Sequence, residues 1–134
     1  MRYIFLVAIG LVLSIGVKAQ TAQASGALIT WEASSHDFGD ITQGDKVEFT
    51  FKFSNNGTEP LIITNVTTQC GCTTPKGWPR DPVLPGGSGE ITLAFNSTGK
   101  FGRQNKVATV VSNAANKDGG QLVLSGNVLE RKPQ

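Results

Sequence analysis

The sequence is poor in the residues that carry out chemistry: it has one histidine, two cysteines and ten carboxylates with no pair that clusters. With His36 as the single histidine, a hydrolytic triad or a histidine-rich metal centre has at most one candidate base. Glu48 and Glu90 fall at the polar positions of strand-like runs, where solvated faces are expected and not the paired carboxylates of a glycosidase. There is no Gly-x-x-x-x-Gly-Lys loop, no strand–helix–strand alternation and no helix-period segment after the N-terminal leader, which removes the α/β classes. Asp37-Phe38-Gly39 spells a kinase magnesium motif but lacks the glycine-rich loop, strand lysine and catalytic loop that motif works with. Pro85-Gly86-Gly87-Ser88-Gly89 leads into a strand and not into a helix N-terminus, so it reads as a tight turn and not a phosphate cradle. No enzyme site and no cofactor are expected.

What is present begins with an export signal. Met1-Arg2 is a short positive region, residues 3–13 are apolar, and small side chains at Val17 and Ala19 fit cleavage before Gln20. A permanent membrane helix would take about 20 apolar residues; here residues 3–17 supply 15. No cysteine lies near the cleavage point for lipid attachment, so no stable membrane anchor is expected after cleavage. The formal charge of +2 rests on Arg2 and Lys18, and without them ten cations balance ten anions. A neutral chain with scattered charge offers no basic stripe to nucleic acid or anionic lipid. The expected location is the periplasm or the cell exterior.

The expected organisation is a signal over 1–19, a flexible leader over 20–27, one all-β domain over 28–130 and a tail over 131–134. Residues 28–32 are β-prone, and residues 36–44, with two glycines and two aspartates, read as a turn-rich crossing with His36 solvated before it. Val47, Phe49, Phe51 and Phe53 alternate with Glu48, Thr50, Lys52 and Ser54, the clearest half-buried strand in the chain. Asn55-Asn56-Gly57-Thr58 reads as a turn joining it to the run at 61–67 as a hairpin. Residues 71–89 hold four prolines and read as a long irregular connection without a ladder of its own. Strands follow at 90–96, 106–112 and 121–129, the last two joined through 113–120. About seven short strands with turns every ten or so residues fit an immunoglobulin-like antiparallel β-sandwich, with a small open barrel as the rival.

Several of these segments together resemble one known pattern: Asp37-Phe38-Gly39, residues 49–57, Pro60-Leu61-Ile62-Ile63, Cys70-Gly71-Cys72-Thr73, residues 84–89, Phe101-Gly102 and residues 125–128. The chain resembles the bacterial family called domain of unknown function 1573, with Cys-Gly-Cys-Thr the most specific element. The resemblance implies an exported protein of Bacteroidetes-like bacteria, with a fold similar to Hydin-type and major sperm protein domains, which are interaction modules. It implies no established activity.

Cys70 and Cys72 stay open to three readings. In an oxidising envelope they form a disulfide, with Gly71 letting the backbone tighten, and so small a loop gains little chain-entropy stabilisation. As a redox pair they lack the Cys-x-x-Cys spacing and thioredoxin-like setting. As thiolates they suit copper(I) or zinc, but a closed zinc site needs four ligands and only His36 adds another, so no metal site is favoured. Trp78, in the connection beside them, either caps one end of the sandwich or presents a flat surface; capping fits the usual burial of aromatics better, while Trp31 reads as core. The expected function is a non-catalytic binding or scaffolding module with Cys70, Cys72, Lys76, Trp78 and Arg80 as candidate contacts and an unidentified envelope or extracellular protein as partner. The rivals are a thiol-redox or copper(I) protein acting through Cys70 and Cys72, and a structural subunit whose free sheet edges pair with a neighbour.

Overall fold

The computed structural model describes Gly16 and residues 26–133. The export signal, its cleavage point at Ala19 and Gln20, and most of the leader lie outside the described residues. Eight strands form two four-stranded sheets packed face to face. Sheet A has the order β1 (Ile29–Trp31), β3 (Lys46–Asn55), β6 (Ser88–Asn96), β5 (Thr73–Gly77). Sheet B has the order β2 (Ser35–Thr42), β8 (Gln121–Leu129), β7 (Gly102–Ser112), β4 (Ile63–Thr68). Among the described residues no helix is long and apolar enough to cross a membrane.

Period-two alternation decides what goes between the sheets. Phe51, Phe53, Ile91, Leu93 and Phe95 from sheet A meet Val66, Val110, Leu122, Leu124 and Val128 from sheet B, all buried. Each such side chain contributes roughly 1.5–3 kcal/mol by leaving water, so this interior is the main source of stability. Trp31 is only partly buried; it packs edge-on against Phe53, and its indole N–H donates to the Gly119 carbonyl at 2.6 Å.

The topology departs from the sequence reading in four places. The segment at 36–44 is not a crossing: Ser35–Thr42 is an edge strand, with a register shift between Asp37 and Asp40. Gly39 sits there at φ 74°, left-handed backbone that favours glycine, and its N–H donates to Asp37 Oδ1 at 2.8 Å. Because residues 36 and 38 then point inward, His36 is not a solvated residue; its ring stacks on Phe49 with centroids 3.7 Å apart. Phe38 lies against Phe95 and directly over Gly126, where a Cβ would collide with the Phe38 ring.

This strand also makes the sandwich mixed and not purely antiparallel, since β2 pairs with β8 in parallel. Residues 32–34 carry the chain from the edge of one sheet to the edge of the other without reversing it, so β1 and β2 run on in one direction. The expected hairpin after Phe53 is not formed: β3 pairs with β1 and β6, while β4 pairs with β7 in the opposite sheet. Asn55, buried at the end of β3, binds its own connection at Gly57 and Glu59 together with Leu28 and Val83, and the chain passes to the other sheet. Finally, the connection at 71–89 does carry a ladder, because β5 pairs with β6 from Thr73 to Gly77 despite Pro75, with a register shift at that proline.

The two outer faces differ in charge. Sheet A presents Lys46, Glu48, Lys52, Lys76 and Glu90 outward, with Lys52 directly across from Glu90 and Lys76 paired to Glu48 at 3.4 Å. Among the described residues the middle of the outer face of sheet B has no ionised side chain; its charges there, Asp37, Asp40 and Arg103, gather at one corner.

Candidate functional site

The end of the sandwich that holds the cysteines is made by three connections. The turn at 42–45 joins β2 to β3, the loop at 69–72 joins β4 to β5, and the turn at 97–101 joins β6 to β7. Cys70 and Cys72 form a disulfide with their Cα atoms 5.2 Å apart, well inside the range a bridge tolerates. The loop reaches that separation by turning: the Thr73 N–H donates to the Cys70 carbonyl at 3.1 Å. Thr68 Oγ1 lies 3.2 Å from the Cys70 carbonyl and 2.8 Å from the Thr73 carbonyl, and Asn96 N–H reaches the Cys72 carbonyl at 2.8 Å. Ser97, fully buried, donates through Oγ to the Asp45 carbonyl at 2.6 Å and locks the neighbouring turns together.

A groove of about 270 Å³ opens beside this loop on the outer face of sheet A, lined by Cys72, Thr74, Lys76, Lys46, Glu48 and Ala94 among others. The small Ala94 side chain, between Glu48 and Thr74 in register, forms its floor. On the opposite side of the loop a cavity of about 120 Å³ is lined by Cys70, Gln69, Thr73 and Lys106. Lys106 occupies an inward-facing position of β7, with its ammonium 6.0 Å from the Phe95 ring centre.

The expected contacts separate accordingly. Cys70, Cys72 and Lys76 belong to the loop and the groove. Trp78 is partly buried and packs against the core, and the Arg80 guanidinium lies over its ring at 3.9 Å, a cation–π contact. Its indole N–H is buried without a partner among the described residues. Trp78 thus caps the sandwich and Arg80 is the exposed member of that pair. Both sulfurs are consumed in the bridge, so neither stands free as a thiolate ligand. Among the described residues no three histidine, cysteine or acidic side chains group where they could hold a metal ion.

Sequence reasoning missed the residue that organises the other end. Asn55 is completely buried. Its Oδ1 accepts from Leu28 N–H at 3.2 Å and Gly57 N–H at 3.0 Å, and its Nδ2 donates to the carbonyls of Glu59 at 2.8 Å and Val83 at 2.9 Å. One side chain therefore joins the lead-in segment, the β3–β4 connection and the β5–β6 connection. The only hint in sequence was an asparagine at an inward-facing position of β3. Asn116 does similar work for β1, exchanging two hydrogen bonds with the Ile29 backbone at 3.0 and 2.7 Å.

Asp37, at the corner of sheet B, titrates below the usual carboxylate range, first because the Gly39 N–H donates to it and then because Arg103 pairs with it at 3.3 Å. Both side chains are exposed, so the pair is a surface feature of that corner.

Known structures share this architecture. A protein of unknown function from Porphyromonas gingivalis W83 is similar at 18% identity with a TM-score of 0.65, over 81% of this chain and 50% of that one. A PapD-like domain of human CEP192 is similar at 14% identity and TM-score 0.61, over 91% of this chain and 99% of that domain. The secreted serine protease VesC of Vibrio cholerae is similar at 15% identity and TM-score 0.60, over 79% of this chain and 24% of the protease. The chain thus spans about half of the first protein and a quarter of the third, and at these identities the likeness is one of fold. No curated protein matches. The family described as "Protein of unknown function (DUF1573)" matches residues 29–128, and the chain belongs to that family.

Proposed function

We propose that the chain is an exported, non-catalytic binding or scaffolding module of the bacterial cell envelope, contacting a partner protein through the cysteine loop and the adjoining groove of sheet A. One observation carries this reading. The loop at 69–72 is fixed by a disulfide and four hydrogen bonds to the carbonyls of Cys70, Cys72 and Thr73 beside an open groove with charged walls, a contact surface organised before any partner arrives. The fold is also shared with part of a secreted protease. The balanced charge of the chain after residue 19 favours a protein over nucleic acid or a lipid surface. Cleavage before Gln20 leaves no stable membrane anchor in this reading, and the N-terminus of protein recovered from the envelope checks it.

Trp78 is unsuited to testing the surface, because removing it opens the core. Lys46→Ala combined with Lys76→Ala removes two exposed cations of the groove wall and leaves the interior untouched. We expect the double variant to unfold within about 1 kcal/mol of the parent, as surface substitutions do, and to lose most of its capture of a partner from an envelope extract. Undiminished capture would place the contact elsewhere.

A second reading, reversible thiol chemistry, has one observation in its favour: Lys106 lines the same small cavity as Cys70 and would favour a thiolate there. A dithiol reductant would give two electrons and two protons to the bridge and leave as its own disulfide; copper(I) binding would need that reduction first. Sluggish reduction of the native protein by dithiol buffers would remove both versions. The structural-subunit reading, with edge-to-edge pairing, gains less. The β4 edge has its Val66 N–H taken by the Asn65 side chain at 2.9 Å, β5 carries Pro75 and a register shift, β2 carries a bulge, and β1 is three residues long.

A further inference from the structure

We infer that the Cys70–Cys72 bridge is a directional thiol–disulfide exchange site: a cysteinyl thiolate arriving through the groove of sheet A attacks Cys72, and Cys70, beside Lys106, is the leaving sulfur. The inference rests on the thiol reading above and adds to it which sulfur is attacked, from which side and by what.

The surroundings of the two sulfurs differ. Cys72 lines the open groove of about 270 Å³, whereas Cys70 lines the cavity of about 120 Å³ on the opposite side of the loop. An attacking thiolate approaches in line, from the side away from the sulfur that leaves, so one entering by the groove meets Cys72. The Cys72 backbone N–H donates to Cys70 Sγ at 3.2 Å, and Lys106 lines the Cys70 cavity together with Gln69 and Asn105. A hydrogen bond to the charged form and a neighbouring cation both favour a thiolate, and the sulfur with the more acidic thiol leaves faster. The contact made by Cys72 is weaker, since the Thr73 hydroxyl stands 3.9 Å from its sulfur. Lys46 and Lys76 do line its groove, but Lys76 pairs with Glu48 at 3.4 Å and both of those side chains are more than half exposed. Solvent and the carboxylate therefore weaken their hold on Cys72, while the net positive charge of the groove wall draws in an anionic thiol.

The bonds balance without any other reactant. The arriving thiolate forms a mixed disulfide with Cys72 as the Cys70–Cys72 bond breaks, and the electron pair of that bond leaves on Cys70 as a thiolate. A second thiolate then takes the first from Cys72 as a disulfide. Two thiols are thereby oxidised, the protein gains two electrons, and the two protons the thiols lost pass to Cys70 and Cys72.

The test uses the purified oxidised protein and glutathione, an anionic cysteinyl thiol, with N-ethylmaleimide quenching at early times and mass-spectrometric mapping of both cysteines. We expect glutathione on Cys72 with maleimide on Cys70 to exceed the reverse arrangement at least about fivefold. Lys106→Met, which keeps an unbranched side chain beside Phe95, should slow exchange about threefold or more, and Lys106→Arg should restore it. The Cys70 thiol left in Cys72→Ser should ionise at lower pH than the Cys72 thiol left in Cys70→Ser. Equal or reversed labelling, the opposite order of ionisation, or exchange at the parent rate in Lys106→Met overturns the inference and leaves the thiol reading standing. A bridge inert to glutathione over hours removes that reading and the inference with it.

Discussion

The two ends of the sandwich are closed by different means. At one end Asn55 joins three chain segments through four side-chain hydrogen bonds, with no covalent link. At the other, a disulfide spans a three-residue loop, and Ser97 ties the two adjacent turns. The covalent bond looks the stronger, but by chain entropy a three-residue loop contributes only about 1.5 kcal/mol. Each buried polar group left without a partner costs about 1–3 kcal/mol, and three of the four groups bonded to Asn55 depend on it, the Val83 carbonyl also accepting from the Leu61 N–H. The amide therefore contributes more to stability, and the bridge is left chiefly to shape a loop. That division is consistent with the proposal that a partner is contacted at the cysteine end.

The contrast between the ends can be broken in steps, beginning where the loss of stability should be greatest. Asn55→Ala leaves the Leu28 and Gly57 N–H groups and the Glu59 carbonyl without their partner, while the Val83 carbonyl keeps the Leu61 N–H at 2.8 Å, and a loss of about 3 kcal/mol is expected in urea unfolding, reduced from the full sum because water reaches part of this end. A loss below about 1 kcal/mol would mean that the three connections hold one another without it. Ser97→Ala, which removes one buried hydroxyl donor between turns, should cost about 1–2 kcal/mol by the same measurement and leave the disulfide intact. A cost as large as that of Asn55→Ala would make the two ends equivalent.

What was legible in the sequence was whatever depends on burial of one face. The alternation from Val47 to Phe53 marked β3, and Ile91, Leu93 and Phe95 marked β6, because each strand's inward positions are apolar. Pairing was not legible in the same way, since it is decided by residues far apart in the chain. Asn55-Asn56-Gly57 carries a strong turn signal, yet Asn55 uses its side chain to hold Val83, 28 residues on, and the chain passes to the other sheet. Glycine and aspartate in β2 and proline in β5 masked two edge strands, where bulges make such residues acceptable. Of the site, the cysteine pair was visible from its spacing. The groove was not, because it depends on Ala94 lying in register between Glu48 and Thr74.

The division of labour between the two ends is tested most directly by the double variant Cys70→Ser with Cys72→Ser, measured for both unfolding free energy and partner capture. The expected result is a stability loss of no more than about 2 kcal/mol, in line with the small closed loop, together with a severalfold loss of capture as the loop at 69–72 loses its fixed shape. A loss of about 4 kcal/mol or more would make the bridge the structural fastener of its end, and undiminished capture would separate it from function.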